Sequence, residues 1–300
     1  MSSKATITDP RARPVGAAAT VRAYVELTKP RIIELLLTTT VPAMILAAQG
    51  WPGTWLVIAT LIGGTLSAGG ANTLNQVVDA DIDRIMNRTK ARPLPTDRIS
   101  PGRALLFGSL LGLAGFLWLW ATVNMLAALL TTSGLLFYVF AYTLYLKRSS
   151  AQNIVVGGAA GAVPALVGWA AVTNTVDLAA WVLFAIIFFW TPPHFWALAI
   201  KYREDYAAAG VPMLPSVIGT ERTLDHIVAY SFVLVGVSLL LIPTGAVGAL
   251  YTVVAVGLGV AALTGSVWLR ANPDHAIRYF VASNLYLATL FAAMAIDGLL

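Results

Sequence analysis

The feature that most constrains this chain is a series of apolar stretches, each close to the roughly 20 residues that a helix needs to cross a bilayer. The 300 residues are 58% hydrophobic and 11% charged, whereas about 25% of residues in a soluble domain are charged. The sequence therefore predicts an all-α polytopic membrane protein, a bundle of nine transmembrane helices. The predicted spans lie near residues 31–50, 55–78, 104–121, 124–145, 154–172, 178–200, 226–243, 248–269 and 279–298.

The positions of the basic residues support this count. All nineteen lysines and arginines fall in the N-terminal part, up to the start of the first span, or in alternate loops. The connections 50–54 and 173–177 carry none. Basic loops face the cytoplasm, so we expect a cell-membrane protein with a cytoplasmic N terminus and an external C terminus. The net charge of +5 then reflects topology, and we expect no nucleic-acid partner.

The domain organisation is simple. Residues 1–25 are polar and lack the apolar core of a signal peptide, so they are predicted to be a disordered cytoplasmic tail. Residues 26–300 form one transmembrane domain, with long cytoplasmic loops at about 79–103 and 201–225. The absence of cysteine excludes disulfides, thiolate nucleophiles and cysteine-ligated zinc. Because the external connections are short and chemically plain, we expect the chemistry to take place on the cytoplasmic side.

A polar stripe is predicted at the end of the second span, in the sequence NTLNQVVDADIDR at residues 72–84. At 100° per residue, Asn75, Asp79 and Asp83 fall with Asn72 in a stripe about 80° wide, and Asp81 points away from it. Two carboxylates and a carboxamide are hard oxygen ligands that suit Mg²⁺. The alternative is a helix end emerging into water, but the asparagines lie deeper, where polar groups are costly.

A second stripe is predicted at the end of the sixth span. His194, Lys201 and Asp205 fall on one side of a continuous helix, and Pro192 and Pro193 are expected to kink that helix toward a cavity. Two alternatives stay open at this point. His194 could instead pack in the bundle with a hydrogen bond to a neighbour. Lys201 could instead be a topological charge whose side chain reaches the membrane interface.

Further cations are predicted on the same side of the membrane as the acids. Arg88 and Arg92 come directly after the first stripe, and Lys147 and Arg148 close the fourth span on the same side. Each cation alone is explained by topology. Their coincidence with an acidic pair indicates a site for a metal-bound diphosphate, in which the cations bind the remaining charge.

These motifs resemble a known family. The pattern N-x-x-x-D-x-x-x-D at a helix end in a nine-helix chain resembles the UbiA-type intramembrane prenyltransferases. A narrower resemblance, to the heme O synthase branch, is carried by the segments DADIDRIMNRTKARP, YTLYLKRSSAQN, TPPHFWALAI and DYAAAGVPMLP. It spans roughly residues 25–225, with the four segments in the expected order.

The resemblance implies a helical bundle around a central cavity that opens toward the cytoplasmic side. It also implies Mg²⁺-dependent transfer of the farnesyl group of farnesyl diphosphate to a vinyl group of heme b, with addition of water. The residues that match the family's first metal motif are Asn75, Asp79 and Asp83, and Asp205 matches the acid of the second. Many relatives have an aspartate where this chain has Lys201, so the lysine is expected to bind diphosphate directly.

Further roles follow from the same resemblance. The expected stabilisers of the departing diphosphate are Lys201, Lys147, Arg88 and Arg92. His194 is expected to orient a water molecule, to ligate the heme iron or to pack. The expected partners are heme b, farnesyl diphosphate, the lipid bilayer, and a terminal oxidase or the next heme-modifying enzyme. Two rival functions remain: transfer to another acceptor such as a quinone precursor, and transport, which the one-sided clustering of ionisable residues disfavours.

Overall fold

The computed structural model describes residues 16–300, apart from the side chains at 31, 32 and 34–37. No strand occurs in this part of the chain, which confirms the all-α prediction. We number the helices α1 to α13. They are Ala17–Thr28, Pro30–Ala48, Thr54–Val78, Ala80–Ile85, Pro101–Thr122, Met125–Ser149, Asn153–Thr173, Leu178–Lys201, Arg203–Ala208, Leu214–Val217, Thr220–Leu239, Ala249–Ala271 and Ala276–Leu299.

Eight helices within the described residues are long and apolar enough to cross a membrane, and they correspond to eight of the nine predicted spans. The remaining span corresponds to α2, whose described portion Thr38–Ala48 is a shorter apolar helix. The count of nine spans therefore stays a prediction. The predicted separation of the spans 226–243 and 248–269 is confirmed, because α11 is followed by a short 3₁₀ turn, Ile242–Thr244, before α12 begins.

The prediction of a disordered tail through residue 25 is wrong for residues 17–25, which form most of α1. Ala23 and Leu27 lie one helical turn apart and are buried on the same side of this helix. They pack in a small apolar cluster with Leu94 and Ile99 of the loop at residues 79–100, which we call the first polar loop. Residues 1–15, the remainder of the predicted tail, lie outside the described residues.

The spanning helices form a ring. Neighbouring helices pack in chain order from α2 round to α13, and α13 packs back against α2. Helices α3 and α5 approach each other closely, because a Cβ atom added at Gly70 would lie 2.7 Å from the carbonyl oxygen of Gly108. Small residues allow such close backbone contact between helices in a bilayer.

The first polar loop and the loop at residues 202–219, which we call the second polar loop, lie at one end of this ring. We call this end the polar end. The two loops are fixed there by an apolar cluster in which Met86 of the first loop and Tyr206 of the second pack with Trp196 of α8. This cluster brings the acids at the end of α3 and those beyond α8 to the same end of the bundle.

Candidate active site

The first polar stripe forms as predicted. Helix α3 ends at Val78 and α4 begins at Ala80, but helical hydrogen bonds continue across the joint between them. The backbone N–H of Asp79 donates to the Asn75 carbonyl at 2.9 Å, and that of Asp83 donates to the Asp79 carbonyl at 2.8 Å. The three side chains consequently stay on one side, all buried.

Asp79 is the centre of the site and has no solvent exposure. One carboxylate oxygen, Oδ2, accepts from Lys147 Nζ at 2.5 Å and from Asn75 Nδ2 at 2.8 Å. The other oxygen, Oδ1, is buried and accepts no hydrogen bond, and the guanidinium Nη2 of Arg148 lies 4.0 Å from it. A buried carboxylate oxygen without a donor is costly, which indicates that a cationic ligand belongs beside it.

Asp83 is held by Arg92 from the first polar loop. The guanidinium Nη1 donates to both carboxylate oxygens, at 2.9 and 2.7 Å, and only 1% of Asp83 is exposed. The loop reaches this position through successive turns, and the hydroxyl of Thr89 donates to the backbone carbonyl of Asp83 at 3.2 Å. Arg92, predicted from the sequence, therefore lies in the site.

Asp81 points away from the stripe, as its helical angle predicts. Its side chain is 64% exposed and forms a bidentate pair with Arg148, at 2.7 and 2.8 Å. Arg148 also donates to the carbonyl of Val78 at 2.8 Å, where α3 ends. This hydrogen-bonded pair lowers the pKa of Asp81 to about 2. Arg148 was predicted to bind diphosphate, but its hydrogen bonds hold the outer side of the α3–α4 joint.

Lys29, in the turn between α1 and α2, is a member of the site that sequence reasoning missed. Its ammonium group donates to Asn75 Oδ1 at 2.7 Å. The end of α1 is fixed by α3, because Asn72 donates to the carbonyl of Thr28 at 2.9 Å and Gln76 to that of Leu27 at 2.7 Å. Burial lowers the pKa of Lys29 to about 7, with further lowering from nearby cations. An anion beside it would raise that pKa.

The fourth span enters the site through a π-helical segment, Phe137–Leu146, within α6. The hydroxyl of Thr143 accepts from Asn75 Nδ2 at 3.1 Å and donates to the carbonyl of Tyr138 at 2.7 Å. Lys147 follows directly after this segment. Local π-helical geometry often occurs at functional sites, and here it sets the position of the lysine that contacts Asp79.

The prediction of a second continuous stripe is wrong. Helix α8 runs through both prolines but ends at Lys201, where Tyr202 leaves the helical conformation with φ −105° and ψ 22°. Lys201 is exposed and makes no hydrogen bond or ion pair to any residue that the structure describes. Asp205 lies in the next short helix, α9. The angular construction fails because it required one unbroken helix from His194 to Asp205.

Asp205 nevertheless contacts the first polar loop. Its carboxylate accepts from Asn87 Nδ2 at 3.1 Å. Beside this contact, the guanidinium of Arg88 lies over the ring of Tyr202, 5.8 Å from its centre. The two loops therefore touch through residues that flank the first stripe. Among the described residues, no hydrogen bond joins Asp205 to the acids of that stripe, so a metal-binding role for Asp205 stays a prediction.

His194 is packed between aromatic rings. It stacks on Trp190 at 4.0 Å and on Phe280 at 4.3 Å, between ring centres. Its Nδ1 atom makes a hydrogen bond of 2.7 Å with the hydroxyl of Ser283 on α13. Of the three roles left open by the sequence, this geometry favours the packing role.

A cavity of about 180 Å³ lies inside the bundle between α2, α3, α6 and α7. We call it the bundle cavity. Asn72 and Tyr138 line it near the polar end, and Thr60 and Val167 line it farther into the membrane-spanning region. Most of its other lining residues are apolar or small. A long apolar group could therefore lie in the bundle with one end beside the polar stripe.

The donor set at the polar stripe fits a hard divalent cation. Two carboxylates and a carboxamide offer oxygen ligands, and Asp79 Oδ1 has no competing donor within hydrogen-bond distance. No group of three or more His, Cys, Asp or Glu side chains able to hold a metal occurs among the described residues. A metal here would therefore keep water molecules or share oxygens with its substrate, as Mg²⁺ commonly does.

Comparisons with known proteins agree with this architecture. Residues 36–292 match the model of the UbiA prenyltransferase family. Protoheme IX farnesyltransferase 2 of Saccharopolyspora erythraea is 53% identical over 288 residues, which cover 94% of this chain and 88% of that protein. Protoheme IX farnesyltransferase of Clavibacter sepedonicus is 49% identical over 298 residues, with 95% of each chain covered.

Two solved structures share the fold. A structure of digeranylgeranylglyceryl phosphate synthase has a TM-score of 0.77 at 18% identity, covering 93% of this chain and 99% of that chain. A UbiA homolog from Archaeoglobus fulgidus bound to GPP and Mg²⁺ has a TM-score of 0.68 at 16% identity, covering 92% and 99%. At these identities the similarity concerns the fold alone.

Proposed function

The chain belongs to the UbiA prenyltransferase family, and we propose that it transfers the farnesyl group of farnesyl diphosphate to a vinyl group of heme b, with addition of water. The products are heme O and diphosphate. The relatives named protoheme IX farnesyltransferase support the acceptor, since they are about half identical over almost the whole chain. The observation that carries the site is the buried Asp79, with one oxygen that accepts no hydrogen bond and the other held by a lysine.

We assign the metal ligands to the first polar stripe. Asn75, Asp79 and Asp83 would hold Mg²⁺, with Asp205 as a further ligand from the second polar loop. When bound, Mg²⁺ would neutralise the diphosphate oxygens and make diphosphate a better leaving group. The pairs of Lys147 with Asp79 and of Arg92 with Asp83 support a role for both cations in binding the diphosphate.

The cations take a direct part in binding. Lys147, Arg92 and Lys29 each contact a residue of the stripe, so each lies within reach of a diphosphate bound there. Fixed positive charge in a site that excludes water stabilises the negative charge that develops on the leaving oxygens. Arg88 adds a further cation at the contact between the two loops. Arg148 positions the α3–α4 joint, and we assign no diphosphate role to the exposed Lys201.

The bundle cavity supplies a place for the farnesyl chain. Its polar end reaches Asn72, one helical turn from Asn75, so the reacting carbon would lie beside the stripe. The allylic C–O bond breaks with its electron pair going to diphosphate, and the vinyl carbon forms the new C–C bond. Water then adds to the cation beside the porphyrin and releases a proton. Neighbouring helices shield the intermediate cation from uncontrolled attack by water.

Location and partners complete the proposal. The chain is a multi-pass membrane protein, and we place it in the cell membrane with the polar end and the N terminus facing the cytoplasm. The product would pass to a terminal oxidase or to the next heme-modifying enzyme.

The identity of the prenyl acceptor is tested by supplying two candidate acceptors. Membranes that contain the protein are incubated with farnesyl diphosphate, Mg²⁺ and either heme b or a hydroxybenzoate, and the prenylated products are identified by mass. We expect farnesylated heme only. Prenylated hydroxybenzoate with unmodified heme would contradict the assignment and favour a quinone-precursor acceptor in the same family.

A further inference from the structure

Two glycines line the bundle cavity at positions where helix packing does not require them. A Cβ atom added at Gly64 on α3, or at Gly161 on α7, would find no heavy atom within 4 Å. Both residues belong to the wall of the cavity. Glycine is a poor helix former, so its presence in the interior of a helix calls for another explanation.

Neighbouring glycines show what a packing requirement looks like. A Cβ atom at Gly63 would collide with the side chain of Leu119, and one at Gly158 would lie 3.0 Å from Cβ of Thr191. These glycines permit close contact between helices. Gly64 and Gly161 differ from them, because the space beside each is open and belongs to the cavity.

The depth of Gly64 matches one part of a prenyl chain. Along α3, Gly64 lies eight residues from Asn72, or about 12 Å at 1.5 Å per residue. Thr60 lies twelve residues from Asn72, about 18 Å away. An extended isoprene unit spans about 5 Å, given C–C bonds near 1.5 Å. A chain that starts beside Asn72 and follows α3 would therefore place its third isoprene unit at the level of Gly64.

We propose that Gly64 determines the length of the prenyl chain by leaving open the space that the third isoprene unit occupies. This inference rests on the proposed function, because it assigns the bundle cavity to the prenyl chain of the diphosphate substrate. A side chain at Gly64 would extend into that space, since its Cβ atom meets no heavy atom within 4 Å. The cavity would then still hold a geranyl chain, which ends before Gly64, but would reject a farnesyl chain.

The test compares prenyl donors of different length. Gly64→Val and Gly64→Leu are assayed with heme b, Mg²⁺ and either geranyl or farnesyl diphosphate. We expect the ratio of kcat/KM for farnesyl over geranyl diphosphate to fall by at least about tenfold in the leucine variant, with a smaller fall for valine. Stabilisation by the thiodiphosphate analogue of each donor, measured as a shift in Tm, gives a readout that does not depend on turnover.

Gly236→Leu is the matched control. Gly236 is an exposed helical glycine on α11, its added Cβ would also find no atom within 4 Å, and it lies outside the cavity wall. Its ratio should equal that of the wild type. A ratio within about twofold of the wild type in folded Gly64→Val and Gly64→Leu would overturn the proposal. Failure of the wild type to prenylate heme would instead refute the proposed function, while analogue binding would still report chain length.

Discussion

Replacing Asp79 with asparagine and, separately, Asp81 with asparagine compares two carboxylates that lie two residues apart. Each substitution removes one charge with almost no change in shape. Asp79 has no exposure and contacts Lys147 and Asn75, whereas the Asp81 side chain is 64% exposed and contacts Arg148. If the stripe holds the metal and the diphosphate, only the first substitution reaches the reacting groups.

The expected magnitudes differ widely. An exposed ion pair contributes about 1 kcal/mol or less, so Asp81→Asn should change kcat by no more than roughly fivefold. Loss of a preorganised electrostatic group in a site that excludes water costs about 10²–10³ in kcat. Asp79→Asn also leaves Lys147 without its carboxylate, although only 12% of that lysine side chain is exposed. The two variants should therefore differ in kcat by at least about twentyfold.

The assay measures kcat for heme farnesylation by purified protein, together with Mg²⁺ binding and Tm. Asp79→Asn should weaken metal binding and turnover in a protein that remains folded, and Asp81→Asn should leave metal binding close to the wild type. Equal damage from the two substitutions would refute the reasoning. So would an Asp79→Asn variant with kcat within roughly fivefold of the wild type.

Three further substitutions test individual assignments. Lys147→Met should lower kcat/KM for farnesyl diphosphate by at least about tenfold while Mg²⁺ still binds, and an unchanged value would remove this lysine from the diphosphate site. Arg92→Lys keeps a positive charge but removes the guanidinium donors other than Nη1, which the proposal assigns to the diphosphate, and should raise KM for farnesyl diphosphate several-fold; an unchanged KM argues against a direct role. His194→Ala should lower Tm by about 2–4 °C with heme affinity unchanged, and a loss of heme binding would restore the iron-ligand role.

The spans and the first stripe were predictable because they depend on local periodicity. The apolar stretches identify the helices, and their bounds agree with the structure to within a few residues for most of the chain. The predicted helical angle between Asp79 and Asp81 agrees with the structure because helical hydrogen bonds continue across the joint after Val78. A fixed angle per residue then separates the buried carboxylate from the exposed one.

The second stripe was not predictable for the same reason. Its construction assumed an unbroken helix, yet α8 ends at Lys201 before a tyrosine, without the glycine or proline that usually signals a helix end. The aromatic packing of His194 depends on Phe280 and Ser283, which lie more than 80 residues farther along the chain. Sequence spacing contains no information about such contacts.

The missed members of the site are also tertiary. Lys29 reaches Asn75 because α3 side chains hold the end of α1, and Thr143 reaches it through a π-helical segment. The basic residue before Pro30 was visible in the sequence, but topology explained it equally well. The predicted tail likewise extended from the polar residues before α1 into the helix itself, whose apolar pair, Ala23 and Leu27, anchors it.

The most direct test of the central claim is the mass of the heme after reaction. Purified protein is incubated with heme b, farnesyl diphosphate and Mg²⁺, beside a folded Asp79→Ala variant. With the wild type, the mass of the heme should increase by one farnesyl group plus one water, and with the variant the heme should stay unmodified. Unmodified heme with the folded wild type, or equal product from both proteins, would contradict the central claim.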